Sequence, residues 1–545
     1  MRSAVPSAGD GERLDDEDAD HDQGGGGRAG LRFAGSTDSG FAHSGADDAV
    51  LRGTRSALAC VALGVLLLTL LVVGLLGGHG SHADSVDAVH SAALGAERGD
   101  AAHAAHAPPG WPLGVVPFVV LLAAIAFLPL VPALARWWHS NLSRLLVSLG
   151  LAAATCAYLI AVEGVAAAGT AVEHAVLAEY VPFIVLLFSL YVVTGGIAIH
   201  GKLPATPAMN TTIIALGTLL ASAMGTTGAS MLFIRPLLQT NRNRRHRAHT
   251  VIFFIILVSN VGGLLLPVGD PPLFLGYLRG VPFLWTLGLW PEGLFAAGIL
   301  LAVYFAWDTA LYRREATADL QRDLARIVPE RVEGGINFLF LLGVLLSVAL
   351  VSDTKPLPGT EWTPPWLARE ALMLGFAGLS IAFTPRAARL RNEFDYHAIL
   401  EVAAIFIGIF ITMQVPLMVL RVHGAELGIR EPWQFFWATG VLSSFLDNAP
   451  TYQVFFETAL TMQTPPESGL ALHGGAVIDA RLLAAISVAA VFMGAMTYIG
   501  NGPNFMVKSI ADRSGVRMPT FFGYMVYSSV VLLPVLLATT LIFFR

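Results

Sequence analysis

The chain has 545 residues, of which 55% are hydrophobic and only 13% are charged, with a net charge of -6. Soluble domains carry about 25% charged residues, and apolar stretches recur here from residue 56 to the end, so the composition excludes a soluble protein. It indicates a multi-pass membrane protein. The two cysteines, Cys60 and Cys156, both lie in apolar runs, which argues against a disulfide framework.

Residues 1–54 are acidic, rich in glycine and poor in large apolar side chains. Such a segment cannot bury enough apolar surface to fold, so we predict a disordered cytoplasmic tail. No apolar run follows the start, which argues against a signal peptide. The first apolar run, 56–77, is expected to be an uncleaved first helix within a segment, 55–110, that also holds an outer loop.

Apolar runs of about 17–25 residues predict about eleven membrane spans. Arg52 and Arg55 precede the first span, so the positive-inside rule places the N-terminus in the cytoplasm and the C-terminus outside. The same rule places 169–180, which holds no Lys or Arg, on the outside. The predicted spans are 56–77, 112–135, 145–168, 181–200, 249–278, 290–311, 336–352, 366–384, 397–420, 480–508 and 520–543.

Two further apolar segments, 208–240 and 433–462, are too long for one crossing and carry a polar kink in the middle. Lys202 and a cluster of arginines at 242–247 flank the first segment, so both of its ends should lie in the cytoplasm. Both ends of the second should lie outside. We therefore expect two re-entrant hairpins that enter the membrane from opposite faces.

The order of elements in residues 111–311 returns in residues 336–545, after a cytoplasmic linker at 312–335. Each half reads as three spans, a hairpin, a broken span and a final span. Because the two hairpins enter from opposite faces, the halves have opposite topology. This pattern predicts an all-α membrane protein built as an inverted repeat, which is typical of secondary transporters.

The two broken spans carry polar residues where hydrocarbon is expected. "SNVGGLLLPVGDPPLF" (259–274) and "GAMTYIGNGPNFMVKS" (494–509) both contain glycines, a proline and amide or carboxyl side chains. Irregular backbone at membrane depth persists only where protein or a water-filled cavity satisfies its polar groups. Broken helices expose carbonyl oxygens that suit a hard cation and N–H groups that suit a carboxylate.

The residues expected to bind a substrate or ion lie at the hairpin tips and the breaks. Any single Ser or Thr could instead donate to its own helix, whereas an acid at membrane depth is a functional candidate by default. The set comprises Thr226, Thr227, Ser230, Ser259, Asn260, Asp270, Asp447, Asn448, Thr451, Thr497, Asn501 and Asn504.

Three further acids lie in or near predicted spans. Glu163 and Glu401 are candidates for a proton relay, and Glu163 could equally form a hydrogen bond between helices. Asp308 lies close in sequence to Arg313 and Arg314, which favours an ion pair at the membrane interface. We see no nucleophile and base at membrane depth and no HExxH motif, so an enzyme is not expected.

Four motifs resemble the ion transporter superfamily, which includes citrate/metal and dicarboxylate/sodium symporters and NhaD-type sodium/proton antiporters. Within it, the chain is most similar to the bacterial group of citrate transporters or sodium:proton antiporters (CitMHS-like). The resemblance covers roughly residues 110–545. The motifs are "TTGASMLFIRPLL" (226–238), "SNVGGLLLPVGDPPLFLGYL" (259–278), "FLDNAPTYQVFF" (445–456) and "MTYIGNGPNFMVKSIA" (496–511).

The resemblance implies a homodimer formed through a scaffold domain and an elevator-type movement of the domain that bears the hairpins. It also implies a multi-pass protein of the inner membrane, with no nucleic-acid partner and no cofactor other than a bound sodium ion. The dicarboxylate branch carries Ser-Asn-Thr at its hairpin tips, whereas this chain has Thr-Gly-Ala (227–229) and Asp-Asn-Ala (447–449). The tips therefore depart from the carboxylate-binding pattern.

Electrostatics favours a cation over an anion as the substrate. Asp270 and Asp447 would repel a citrate trianion, and the breaks contain few basic residues to offset them. A carboxylate removed from water binds a proton more readily, so a proton and a sodium ion can compete for it. We therefore predict a sodium (cation)/proton antiporter. Ion- or metal-coupled transport of citrate or another carboxylate is the alternative.

Overall fold

The computed structural model describes most of the chain after residue 106, and helices dominate it, as predicted. The tail 1–54, the first predicted span 56–77 and part of the linker 312–335 lie outside the described residues. The described ranges are 107–315, 328–352, 356–464, 467–473 and 475–545.

The first four helices follow one another with short connections. A π-helix, His174–Tyr180, joins the third helix to the fourth, so this part of 169–180 is helical, and its place outside the membrane stays a prediction. Polar residues of this segment form tertiary contacts. Glu179 forms an ion pair with Arg279 at 2.7 Å, and Tyr180 Oη donates to the carbonyl of Ala403 at 3.0 Å. The helices are α1 (Trp111–Phe127), α2 (Pro132–Trp138), α3 (Asn141–Glu173) and α4 (Val181–Thr194).

The chain then forms a helical hairpin and the first broken helix. At the open end of the hairpin, Asn210 and Asn241 exchange side-chain hydrogen bonds at 2.9 and 2.8 Å, so its two helices run antiparallel. A short strand, β1 (Ala198–Lys202), precedes the hairpin and pairs with β2 (Val328–Glu333). The helices are α5 (Pro207–Met224), α6 (Thr226–Thr240), α7 (Ala248–Leu257), α8 (Pro271–Leu278) and α9 (Trp290–Tyr312).

The second half holds another hairpin and another broken helix. Phe435 and Phe455 pack edge to face across its hairpin, with ring centroids 6.4 Å apart. Two short strands, β3 (Gly469–Ala471) and β4 (Val477–Asp479), form a ribbon after it. The helices are α10 (Ile336–Leu350), α11 (Ala368–Phe383), α12 (Arg386–Arg391), α13 (His397–Thr412), α14 (Gln414–His423), α15 (Pro432–Phe445), α16 (Asn448–Leu460), α17 (Ala480–Met493), α18 (Gly502–Arg513) and α19 (Phe521–Phe543).

Fewer helices are long enough to cross a membrane than the sequence predicts. Among the described residues, four helical segments pass by length and hydropathy, or five if a pair bent by 42° near Met413 counts as one span. The bend has a local cause: Pro416 has no N–H to donate to the carbonyl of Thr412, four residues earlier. The predicted spans 112–135, 249–278 and 480–508 are divided by breaks, whereas 336–352 and 366–384 each hold a single shorter helix, α10 and α11.

Helices α7 and α17 form the centre of the fold. Residues Val251–Leu257 of α7 are at most 2% exposed, and α17 is buried over nearly all of its length. A helix that is apolar on every side belongs in an interior. Both helices end at the breaks, so the breaks lie in the protein interior rather than against lipid.

Candidate functional site

The tip of the first hairpin is a sharp turn at a glycine. Gly225, between α5 and α6, has φ 78°, in the region that side-chain-bearing residues rarely adopt. The turn brings the N–H of Thr226 to the carbonyl of Gly269, at 2.9 Å. The first tip is therefore attached directly to the first helix break.

The tip of the second hairpin is closed by an acid. Asp447 caps α16, and its Oδ1 accepts from the N–H of Ala449 at 3.1 Å. Thr451 donates to the carbonyl of Asp447 at 3.0 Å, which is the back-bonding to its own helix that the sequence leaves open. Asp447 is half-buried, so this carboxylate keeps some access to water.

Both helix breaks are tight loops closed by two glycines six residues apart. A Cβ on Gly269 would overlap the carbonyl oxygen of Gly263. A Cβ on Gly500 would lie 2.6 Å from the carbonyl oxygen of Gly494. In each loop the second glycine directly precedes the residue that caps the next helix, which is Asp270 in the first break.

The structure brings three predicted site residues together around Asp270, which is only 2% exposed. Thr226 donates to Asp270 Oδ1 at 2.9 Å, from the first hairpin tip. Asn448 donates to Oδ2 at 2.5 Å, from the second tip. Asn501 donates to Oδ1 at 3.1 Å, from the second break. One carboxylate thus joins both tips and both breaks.

Asparagines also connect the two breaks directly. Asn260 donates to Asn504 Oδ1 at 2.8 Å and, through the same amide, to the carbonyl of Ile255 at the end of α7. Asn501 donates to Asn260 Oδ1 at 3.2 Å, and Asn504 donates to the carbonyl of Thr497 at 2.9 Å. These amides satisfy backbone groups that the breaks leave free in a buried environment.

The remaining hydroxyls of the predicted set support the loops. Ser230 of α6 and Ser259 of the first break share a hydrogen bond of 2.7 Å. Thr497 donates to the carbonyl of Ser444 at 2.6 Å, near the end of α15. The hydroxyl oxygen of Thr497 also accepts from the N–H of Gly500 at 3.1 Å. These three side chains hold the breaks against the hairpins.

Among the described hydrogen bonds, Asp447 and Thr451 stay within the second tip, and three further predicted residues do not reach Asp270 or its partners. Thr227 follows Thr226 at the first tip and is half-buried. Glu163 lies on α3 just before a kink at Gly164, where φ is 88° and ψ is 168°. Glu401 forms an ion pair of 2.9 Å with Arg144. Neither relay candidate contacts the Asp270 cluster within the part of the chain that the structure describes.

The expected interfacial pairing of Asp308 with Arg313 and Arg314 is wrong. Asp308 is fully buried, and its Oδ1 lies 2.6 Å from Nη2 of Arg244 and 2.9 Å from Nε2 of His249. Residues five and six positions apart on a helix point to different faces, so proximity in sequence was misleading.

Sequence reasoning missed Ser222, which holds the first break in place. Its hydroxyl donates to the carbonyl of Gly262 at 2.6 Å and accepts from the N–H of Leu265 at 3.0 Å. Ser222 lies three residues before Gly225 at the first tip. Ser443 and Ser444 lie at the corresponding place just before the second tip. Ser444 donates to the carbonyl of Met493 at 3.3 Å. Comparing the two halves position by position could have identified it.

Four helices begin at this cluster, namely α6, α8, α16 and α18. Each N-terminus carries about half a positive charge, which stabilises anionic groups nearby. The two basic side chains close to the tips and breaks pair elsewhere: Arg235 with Glu393 at 3.3 Å and Lys508 with Asp512 at 2.7 Å. Helix ends, rather than basic side chains, therefore offset the carboxylates.

The cluster has the groups needed to hold a proton or a small cation. Three hydrogen-bond donors face the carboxylate oxygens of Asp270. Asn448 Oδ1 is buried and has no hydrogen-bond partner among the described residues, so it is an available oxygen ligand. Within those residues, no group of three or more His, Cys, Asp or Glu side chains is placed to share a metal ion.

The apolar helices and the buried polar breaks define an α-helical membrane protein. Residues 110–544 match the model of the CitMHS_2 family, which is described as "Putative citrate transport". The match covers well over half of the chain, and the chain belongs to this family. No curated protein matches it.

Proposed function

We propose that the protein is a secondary active transporter that exchanges sodium, or another small cation, for protons. Asp270 and Asp447 are the carboxylates for which the two ions compete. The observation that carries the proposal is the gathering of Thr226, Asn448 and Asn501 around buried Asp270. Because the donors come from both hairpins and the second break, protonation of one carboxylate changes contacts throughout the site.

Charge supports a cation rather than an anion. No Lys or Arg takes part in the hydrogen bonds that the structure describes around Asp270. Asp447 and Asp270 themselves occupy the N-caps of α16 and α8, where a bound carboxylate substrate would otherwise benefit from the helix N-terminus. A trianion would face both acids without a basic partner.

The proposed architecture is an inverted repeat with an elevator-type movement. Its support is the shared order of hairpin, buried helix, glycine-closed break and long helix, in α5–α9 and again in α15–α19. Asp270 and Asn501, which follow the equivalent glycines, contact each other at 3.1 Å. We propose that both hairpins are re-entrant and that each moves together with a break. Thr226 of the first tip is bonded to the first break, and Thr497 of the second break is bonded to Ser444 of the second hairpin.

Further parts of the proposal rest on the family and on charge patterning. We propose a homodimer in the inner membrane, with a cytoplasmic N-terminus and an external C-terminus. The domain boundaries at residues 54, 110, 311 and 335 remain predictions. The protein is expected to need no cofactor besides a bound sodium ion and to catalyse no chemical reaction.

Citrate, alone or as a metal complex, is the second candidate substrate. The family description favours it, as do the four helix N-termini that converge on the cluster. A divalent metal bound to citrate would lower its negative charge and so reduce repulsion by Asp270 and Asp447. This candidate would make the same residues ligands of the metal rather than carriers of protons.

Proteoliposomes with an internal pH indicator separate the two candidates. After a pH gradient is imposed, sodium, lithium, citrate and magnesium citrate are added separately. The proposal expects sodium or lithium to collapse the gradient and citrate to leave it unchanged. A response to citrate or magnesium citrate, with none to sodium or lithium, would assign the site to carboxylate transport instead.

A further inference from the structure

A cavity of about 300 Å³ lies away from the Asp270 cluster, where three apolar helices meet. Helices α9 and α17 begin beside it, and α19 ends beside it. Ends of apolar helices mark the level of the lipid head groups. The lining includes Trp285, Leu289, Glu292, Arg481, Phe543 and Phe544.

The cavity presents two opposite charges that do not pair with each other. Glu292 lies in the first turn of α9, and its Oε2 is buried without a hydrogen-bond partner among the described residues. Arg481, in the first turn of α17, is exposed and donates to a main-chain oxygen of Arg545, the last residue of the printed sequence, at 3.2 Å. A buried carboxylate oxygen without a donor is costly, which indicates that a donor is supplied from outside the chain.

We propose that this cavity binds the head group of a phospholipid with a primary amine. The ammonium donates to Glu292, and the phosphate accepts from Arg481, whose planar guanidinium suits phosphate oxygens. Phe543 and Leu289 contact the glycerol and upper acyl chain. Trp285 lies at the depth where tryptophan is enriched in membrane proteins.

The two charges make the site selective among common lipids. Phosphatidylcholine has a trimethylated ammonium, which cannot donate a hydrogen bond to Glu292 Oε2. Phosphatidylglycerol has no cation at all. Phosphatidylethanolamine alone among the three supplies both a donor for Glu292 and a phosphate for Arg481.

Native mass spectrometry of the full chain in detergent tests this site. The protein is incubated with equal amounts of the three lipids, and the retained adducts are counted. Phosphatidylethanolamine should be retained most, and Glu292→Gln should lower its affinity about tenfold, to that of phosphatidylcholine. Arg481→Gln should weaken the retention of all three lipids, because each has a phosphate.

Glu426→Gln is the matched control, since Glu426 is a 72% exposed acid that does not line the cavity. It should leave lipid selectivity unchanged, and size-exclusion profiles should show that all variants remain folded. Equal retention of the three lipids by the unmodified protein, or unaltered selectivity in Glu292→Gln, would overturn the proposal. Displacement of the lipid by equimolar soluble glycerophosphoethanolamine would also overturn it, since the ligand would then be a soluble zwitterion.

Discussion

Gly500→Ala should damage the site by displacing the second break. The new Cβ would lie 2.6 Å from the carbonyl oxygen of Gly494, 2.8 Å from that of Ser443 and 3.1 Å from that of Ser444. Ordinary contact begins at 3.4 Å, so the loop must move by about 3.4 − 2.6 = 0.8 Å. All three obstacles are backbone atoms, so no side-chain rotation relieves the overlap.

That movement has a consequence for stability and another for function. Overpacking of this kind costs about 1–3 kcal/mol, which in a chain of this size should lower the apparent unfolding temperature by about 1–3 °C. Asn501 follows Gly500, and its bond to Asp270 is already 3.1 Å long. Loss of a hydrogen bond to a charged group costs about 1.5–3 kcal/mol, so transport should slow by about tenfold or more.

Gly502→Ala is the matched control two residues away. A Cβ there meets nothing within 4 Å, and the residue is the first of α18, where alanine favours the helix. Its unfolding temperature should equal or exceed that of the unmodified protein. Scanning fluorimetry on intrinsic tryptophan and transport in proteoliposomes measure both effects. Indistinguishable behaviour of Gly500→Ala and Gly502→Ala would refute the reasoning.

Two further predictions concern the polar network around Arg244. Asp308→Asn removes the nearest carboxylate partner of buried Arg244 and leaves only Glu315 Oε1, 3.8 Å from its Nε, which should cost about 3 kcal/mol. Combining Asp308→Leu with Arg244→Met should restore part of the unfolding temperature. Burial alone would raise the pKa of Glu315, but the backbone N–H groups of His246 and Arg245 and the charge of Arg244 outweigh it and hold that pKa below its usual value. The stabilisation by Glu315 is therefore complete above the unfolded-state pKa of about 4.3 and is lost as the pH falls through the folded-state pKa. Glu315→Gln should flatten the acid side of the profile of unfolding temperature against pH, and an unchanged profile would contradict this assignment.

Local features of the fold could be predicted from the sequence because they depend on a few residues. Glycine at 225 and the Asp447 cap mark the hairpin tips, and glycines next to Asp270 and Asn501 mark the breaks. These residue types have intrinsic backbone preferences that do not depend on distant partners. The all-α class and the polar composition of the breaks could therefore be predicted from the sequence.

Pairings between distant residues could not be predicted. Asn260 and Asn504 are 244 positions apart, and Arg244 reaches Asp308 across 64 positions. A single sequence shows local periodicity but does not reveal which distant side chains are in contact. The expected partners of Asp308 were therefore the arginines nearest to it in sequence. The π-helix His174–Tyr180 was missed for a related reason: its polar residues resemble a loop until their packed partners are known.

The central claim is that Asp270 and Asp447 carry the exchange of protons for cations. The most direct test measures sodium-driven collapse of a pH gradient in proteoliposomes containing the unmodified protein, Asp270→Asn with Asp447→Asn, or Glu361→Gln, a control at an exposed acid. The account predicts that the double variant loses proton-coupled sodium flux while remaining folded and that Glu361→Gln retains it. Unchanged proton-coupled sodium flux in the double variant would contradict the account.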